Sequence, residues 1–451
     1  MDQPGDDERE RDEQRANWID RTLYRLLALL GIALAIQQSG FSPVATWRAL
    51  VASVENLTLP PLALPRLARP ASSAGNPKFD AYSTAYERAR DLTSHERWAE
   101  ALVAVDAACR LDTEGLSGDV RAAAFLLRGQ ILCGLTRYDE AVQTIEQARN
   151  YVSGAPVYEA LMVAYYRKQD YRQTVNYARD LLDSGARPSP QLYFILAQSH
   201  DRLGDVEQAS QWIARGRAEF PGDKNLAKLG AKYDREAAAE RGMSTRHNDR
   251  FILKFVEVRE QSGLRDAIVR ELDRAYGSTC AAYSYTPGEA LPVILYPSAS
   301  QYYSASGAPQ WSGAQYDGKM RIPLPADATE LPPELATVVT HEMTHYVIHQ
   351  ITGDRCPSWF DEGLAQLADQ RDESWAAAEL AAGQRFRLSE LELPFARLSS
   401  ASQARLAYAQ ALVTTRQIVD RVGMARVRGL LDQLGAGRSS REVFADLVDT
   451  R

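Results

Sequence analysis

Cysteine is scarce in this chain, with four in 451 residues. That excludes a small fold stapled by disulfides. Basic residues do not outnumber acidic ones: Lys plus Arg is 52 against 59 Asp plus Glu, a net charge of −7. No basic stripe stands out, so no nucleic-acid partner is expected. Long apolar runs are missing apart from one near the N-terminus, which excludes a polytopic membrane protein. With 45% hydrophobic and 25% charged residues, the chain is not mainly disordered and can bury a sizeable core. At roughly 150 residues per domain the length predicts about three units. Histidine is also scarce, six in all, yet His341, His345 and His349 fall within nine residues.

Residues 1–25 hold eight acidic and five basic side chains and few apolar ones, the composition of a disordered leader. The next 22 residues, 26–47, carry no charge and are bracketed by Arg25 and Arg48. As a helix they reach about 33 Å, enough to span a bilayer core. The run is impure, because Gln37, Gln38, Ser39, Ser42 and Pro43 follow its apolar half. A short amphipathic or core helix is therefore the competing reading. A single signal-anchor helix is the expectation, making the membrane a partner through this segment. Arg9, Arg11, Arg15, Arg21 and Arg25 precede the run, and Arg48, Arg66 and Arg69 follow it. Positive-inside then places the body outside the cytoplasm, with a cytoplasmic body as the alternative. Residues 48–78 are Pro-rich and read as a semi-extended linker. In an oxidising compartment Cys109 with Cys133 and Cys280 with Cys356 are possible pairs; buried free thiols are the other reading.

Residues 79–245 show helical apolar spacing and almost no strand signal. A signature recurs along them, a large residue followed three later by a small one. It appears as Trp98 and Ala101, Tyr138 and Ala141, Tyr171 and Thr174, and Val206 and Ala209. The small positions are 40, 33 and 35 residues apart. This pattern resembles tetratricopeptide repeats. The resemblance implies stacked helix pairs whose concave surface takes a peptide or protein partner. The helix expected at 225–241 reads as the polar cap of the array.

From about residue 246 the texture becomes α+β. Strands are expected at 251–258, 292–296 and 319–324, and a helix at 263–276, with Tyr316-Asp317-Gly318 as a turn. Then comes His341-Glu342-Met343-Thr344-His345, or H-E-x-x-H, after a Pro332-Pro333-Glu334 helix start. Two His at i and i+4 lie one turn apart on one face, about 6 Å between Cβ atoms, so both can reach one Zn²⁺. Glu342 lies beside them, where a general base is needed. Chance alone gives about 0.01 such motifs in a chain of this composition, so the motif is a hypothesis worth following. His349 is eight positions beyond His341, roughly 12 Å along a helix, too far to share one ion. The metzincin spacing is also absent, since Ile348 and Ile351 stand where Gly and His are required. A carboxylate from the next helix, Glu362, would complete the His₂Glu set of a catalytic zinc site.

At these residues the segment 246–451 resembles the peptidase MA-like, or gluzincin, superfamily of zinc peptidases. The resemblance rests on H-E-x-x-H, on Glu362 within Trp-Phe-Asp-Glu-Gly-Leu-Ala (359–365), and on the strand-like lead-in before them. It implies a zinc peptidase acting on a peptide or protein substrate, with Zn²⁺ on His341, His345 and Glu362 and with Glu342 moving the proton. It further implies that Asp361 orients a ligand imidazole and that the strand bearing Met320, Arg321 and Ile322 binds an extended substrate. A His or Tyr from a later helix should stabilise the oxyanion, and since no His follows His349, Tyr408 is the candidate. Two other readings stay open: a catalytically idle, membrane-anchored repeat scaffold, and a zinc amidase acting on cell-wall peptides. The expected fold class is α+β, a helical solenoid followed by a small mixed sheet with active-site helices.

Overall fold

The computed structural model describes residues 76–448, except 112, 258–261, 308–313, 325–327, 370–372, 383–384, 396–397 and 399. The charged leader, the uncharged run at 26–47 and nearly all of the linker lie outside the described residues. Among the described residues no helix is long and apolar enough to cross a membrane.

Nine helices come first among the described residues: α1 (Pro77–Ser94), α2 (Trp98–Arg110), α3 (Gly118–Gly134), α4 (Tyr138–Ala148), α5 (Ala155–Lys168), α6 (Tyr171–Asp183), α7 (Pro190–Arg202), α8 (Val206–Glu219) and α9 (Lys224–Glu240). Six of them, α1 and α5 to α9, start where the sequence supplies a cap or a first-turn proline. Asn76, Asp170, Ser189, Asp205 and Asp223 cap free backbone N–H groups, and Pro77, Pro156 and Pro190 occupy first turns. The helices close in pairs, α1 on α2 through α7 on α8, and each pair stacks on the next. Ala101, Ala141, Thr174 and Ala209 are all fully buried, where small side chains allow the helices to approach. Around them sit Val105, Ile145 and Ile213, each contributing about 1.5–3 kcal/mol by leaving water.

The second part is built on a five-stranded mixed sheet, ordered β1-β2-β3-β5-β4 among the described residues. The strands are β1 (Ser244–His247), β2 (Phe251–Phe255), β3 (Leu291–Tyr296), β4 (Gln315–Tyr316) and β5 (Met320–Pro323). β2, β3 and β5 run parallel, and the two edge strands are antiparallel to their neighbours. Parallel neighbours need crossovers. These are supplied by α10 (Ser262–Tyr283) and a path through α11 (Ala299–Ser306). Central β3 is buried at every position, which is why it reads as a continuous apolar run. Its side chains alternate between two cores. Val293 and Leu295 meet α10 and α12 (Leu335–Thr352), while Ile294 and Tyr296 meet α11 and the end of α9. Helices α13 (Ser358–Ala368), α14 (Ser374–Ala382), α15 (Ala401–Val422), α16 (Met424–Gly435) and α17 (Ser440–Phe444) complete this part.

One expectation needs correction. Helix α9 is not a polar cap. Its Glu236 and Glu240 are buried against the sheet, because cations from the second part meet them there. Lys319 pairs with Asp201 and with Glu236 at 2.6 Å, Arg321 with Glu236 at 2.9 Å and Asp317 at 3.1 Å, and Lys254 with Glu240 at 2.7 Å. Burial opposes the charge on Glu236, but Arg321, Lys319 and Lys232 outweigh it and hold the carboxyl down to about 2. Of the two readings of the cysteines, free thiols are the one found: Cys109, Cys133, Cys280 and Cys356 are all unpaired. Among the described residues the helical array and the sheet belong to one compact unit.

Candidate metal centre

His341, Glu342 and His345 stand on α12, the helix that covers one face of the sheet. Gly353, in the left-handed region at φ 59°, ends that helix with its N–H bonded to His349 O. The chain then turns into α13, which carries Asp361, Glu362 and, at its end, Asp369. α13 lies tight against α15. A Cβ placed on Gly363 would fall 2.6 Å from Ala411 O and closer still to Thr415 Oγ1. This approach, one residue from Glu362, brings Tyr408 of α15 to the site.

One ligand atom each from His341, His345 and Glu362 lies within 4.8 Å of the others. The two Nε2 atoms are 3.6 and 3.7 Å from Glu362 Oε2. A tetrahedral ion with bonds of about 2.0–2.1 Å would hold such atoms about 3.3 Å apart, so a small contraction suffices. Glu362 Oε2 is buried and has no hydrogen-bond partner, an arrangement that is costly unless a cation joins it. Both imidazoles are held from behind. His341 Nδ1 faces Asp369 at 3.2 Å, and His345 Nδ1 lies 3.0 Å from Asp361 Oδ1, off the line of a straight hydrogen bond. With a carboxylate beside each Nδ1, the Nε2 atoms of both rings are left facing Glu362. Burial opposes a charge on His341, yet the carboxylates of Asp369 and Glu362 beside it hold its pKa well above the ordinary imidazole value. A site that so strongly favours positive charge, with both imidazoles and a free carboxylate oxygen converging, fits a divalent cation.

Glu342 is buried beside this group, and burial raises its pKa; His341 and His345 pull it back, and the Tyr316 backbone N–H bonds its carboxylate. Tyr408 reaches the same place. Its hydroxyl is hydrogen-bonded to Glu362, and the charges of Glu362 and Glu342 together with burial hold its pKa well above the usual phenol value. His349 is outside the group. Its ring lies between Asp354 at 2.6 Å and Asp361 at 3.3 Å, edge-on to Tyr316.

The substrate-strand expectation is corrected. Met320, Arg321 and Ile322 are fully buried, and β5 lies inside the sheet between β3 and β4. Arg321 turns toward α9, where Glu236 and the hydroxyl of Tyr296 compete successfully for it. The edge strand on this side of the sheet is β4. Sequence reasoning also missed Asp369. Its signal is its place on α13, seven residues and two turns beyond Glu362 on the same face. Compared with known proteins, the chain matches no protein-family model, and it matches no curated protein.

Proposed function

We propose that this chain is a zinc-dependent peptidase of gluzincin type. The observation that carries the reading is the convergence of His341 Nε2, His345 Nε2 and the unpartnered Glu362 Oε2, with Glu342 alongside. A zinc ion held by those three residues would supply Lewis acidity, making water a usable nucleophile near neutral pH and polarising a carbonyl. Glu342, its pKa raised by burial, takes the proton from the attacking water and delivers it to the leaving nitrogen. Tyr408 keeps its proton because two carboxylates face it, so its hydroxyl is a donor for the developing oxyanion. Asp361 and Asp369 hold the imidazoles in register. An extended peptide would meet the sheet at its edge strand β4.

The reading includes tetratricopeptide-type hairpins in 79–245, supported by the complete burial of the four small signature residues. It also includes a single membrane anchor at 26–47, which rests on the uncharged run alone. A reporter fused after Pro70 that works only in the cytoplasm would reject that placement. An idle scaffold fits less well, because Glu342 and Tyr408 both stand at the metal group. The decisive experiment combines metal analysis with a fluorescence-quenched peptide library. Wild type should hold about one zinc per chain and cleave. Glu342→Gln should keep the metal and lose cleavage; undiminished cleavage would remove Glu342 as the base.

A further inference from the structure

The helical array meets the second part through its turns. Thr136, Gln169 and Gly204 each have positive φ, 33 and 35 residues apart, one per helix pair. Thr136 lies against Gly437, Gln169 accepts a bond of 3.1 Å from Gln350, and Gly204 lies against Ile252. At the last of these contacts the array reaches the β4–β5 turn. Two consecutive residues of α7 grip two consecutive residues of that turn. Asp201 pairs with the buried ammonium of Lys319, and Arg202 lays its guanidinium over Gly318. Gly318 has φ 95°, and a Cβ there would lie 2.7 Å from Arg202 Nε and closer still to Cζ and Nη1. The charged plane therefore occupies the space a side chain would take. Asp354 and the phenols of Tyr166, Tyr171 and Tyr316 surround it. The cavity left there is only about 20 Å³, room for a single water.

The turn matters because of the bond next to it. Asp317 N donates to Lys319 O across the hairpin. Alternation then sends the Tyr316 N–H out of the sheet edge toward the Glu342 carboxylate, and the Tyr316 ring packs 5.8 Å from that of Tyr346 and 5.3 Å from that of His349, on the helix that carries Glu342. Resting on the peptidase reading above, we propose that Arg202, a residue of the helical array, is a positioning residue for the reacting centre. It clamps Gly318 so that the Tyr316 N–H holds Glu342 in place. The array is on this view a structural part of the active site, not an arm that swings to collect substrate.

The test uses the full chain loaded with zinc, the fluorescence-quenched peptide library and hydrogen exchange of the 314–321 segment in metal-free protein. Arg202→Ala should keep its metal and its KM but lose about 10–100-fold in kcat, the cost of a misplacement near 1 Å. The 316–319 amides should exchange at least about tenfold faster. Arg202→Lys, which keeps the charge but not the plane, should fall between, and it decides the matter should the alanine variant fail to fold. Gly318→Ala should reproduce the kcat loss from the other side of the contact. The double variant should then be no slower than Gly318→Ala, because removing the guanidinium makes room for the methyl. Wild-type kcat and exchange in Arg202→Ala, or losses that multiply in the double variant, would overturn the clamp. Wild-type protein without Glu342-dependent cleavage would instead overturn the peptidase reading, and the catalytic consequence with it.

Discussion

The approach of α13 to α15 at Gly363 is the contact on which Tyr408 depends, and it can be tested by one methyl group. In Gly363→Ala the new Cβ would stand 2.6 Å from Ala411 O and from Thr415 Cβ. Ordinary contact begins near 3.4 Å, so α15 must retreat by about 0.8 Å. The obstacle is a helix carbonyl, which cannot rotate away as a side chain end can. Overpacking of this kind costs about 1–3 kcal/mol. At about 2.1 cal/mol/K per residue a unit of this size has a melting entropy of roughly 0.8 kcal/mol/K, so Tm falls by about 1 °C per kcal/mol, or roughly 1–4 °C. Tyr408 is one turn from Ala411 on the same helix, so it should withdraw from Glu362 and kcat should fall while zinc remains. Gly277→Ala is the control. It lies within α10 with no atom near its Cβ position, and there the same substitution should stabilise by about 0.4–1 kcal/mol. Differential scanning calorimetry of both variants measures the contrast. An unchanged melting temperature in Gly363→Ala would show that the two helices are not as close as described.

Other outcomes follow from the same geometry. Glu362→Ala should lose zinc or bind it far more weakly in equilibrium dialysis, whereas His349→Ala should retain a full equivalent; the reverse result would reassign the third ligand. Asp369→Asn should weaken zinc about 10–100-fold by loosening His341, and unchanged affinity would detach Asp369 from the site. Lys319→Met should cost about 3–5 kcal/mol in urea unfolding, because Asp201 would remain buried without its partner and Glu236 would keep only Arg321 and Lys232. The carboxyl of Glu236 is depressed to about 2, so its stabilisation is fully present above about pH 4.5 and is lost as pH falls toward 2. Metal-free protein should therefore lose stability across that window with a steeper slope than Glu236→Gln; equal slopes would mean the carboxyl is not held ionised.

The grouping of His341, His345 and Glu362 was legible in the chain because it is local. H-E-x-x-H needs only the 3.6-residue period to bring His341 and His345 to one face, and Glu362 needs only a hairpin to face them. The repeat signature is local for the same reason, since Ala101, Ala141, Thr174 and Ala209 are small wherever two helices must touch. Parallel β3 announced itself by a continuous apolar run, which fixes burial on both faces but not the order of its neighbours.

That order was decided by tertiary structure, and it moved Met320, Arg321 and Ile322 from an expected binding edge into the core. Strand order depends on crossovers, and no periodicity records them. Long-range charge pairing was equally hidden. Glu236 and Glu240 look like solvated positions on an amphipathic helix, and only the arrival of Lys319, Arg321 and Lys254 from residues far along the chain makes their burial tolerable. Asp369 behind His341, and Arg202 over Gly318, belong to the same class. Each is an ordinary charged residue in sequence, and each stands out only because the fold places a particular partner within a few ångströms of it.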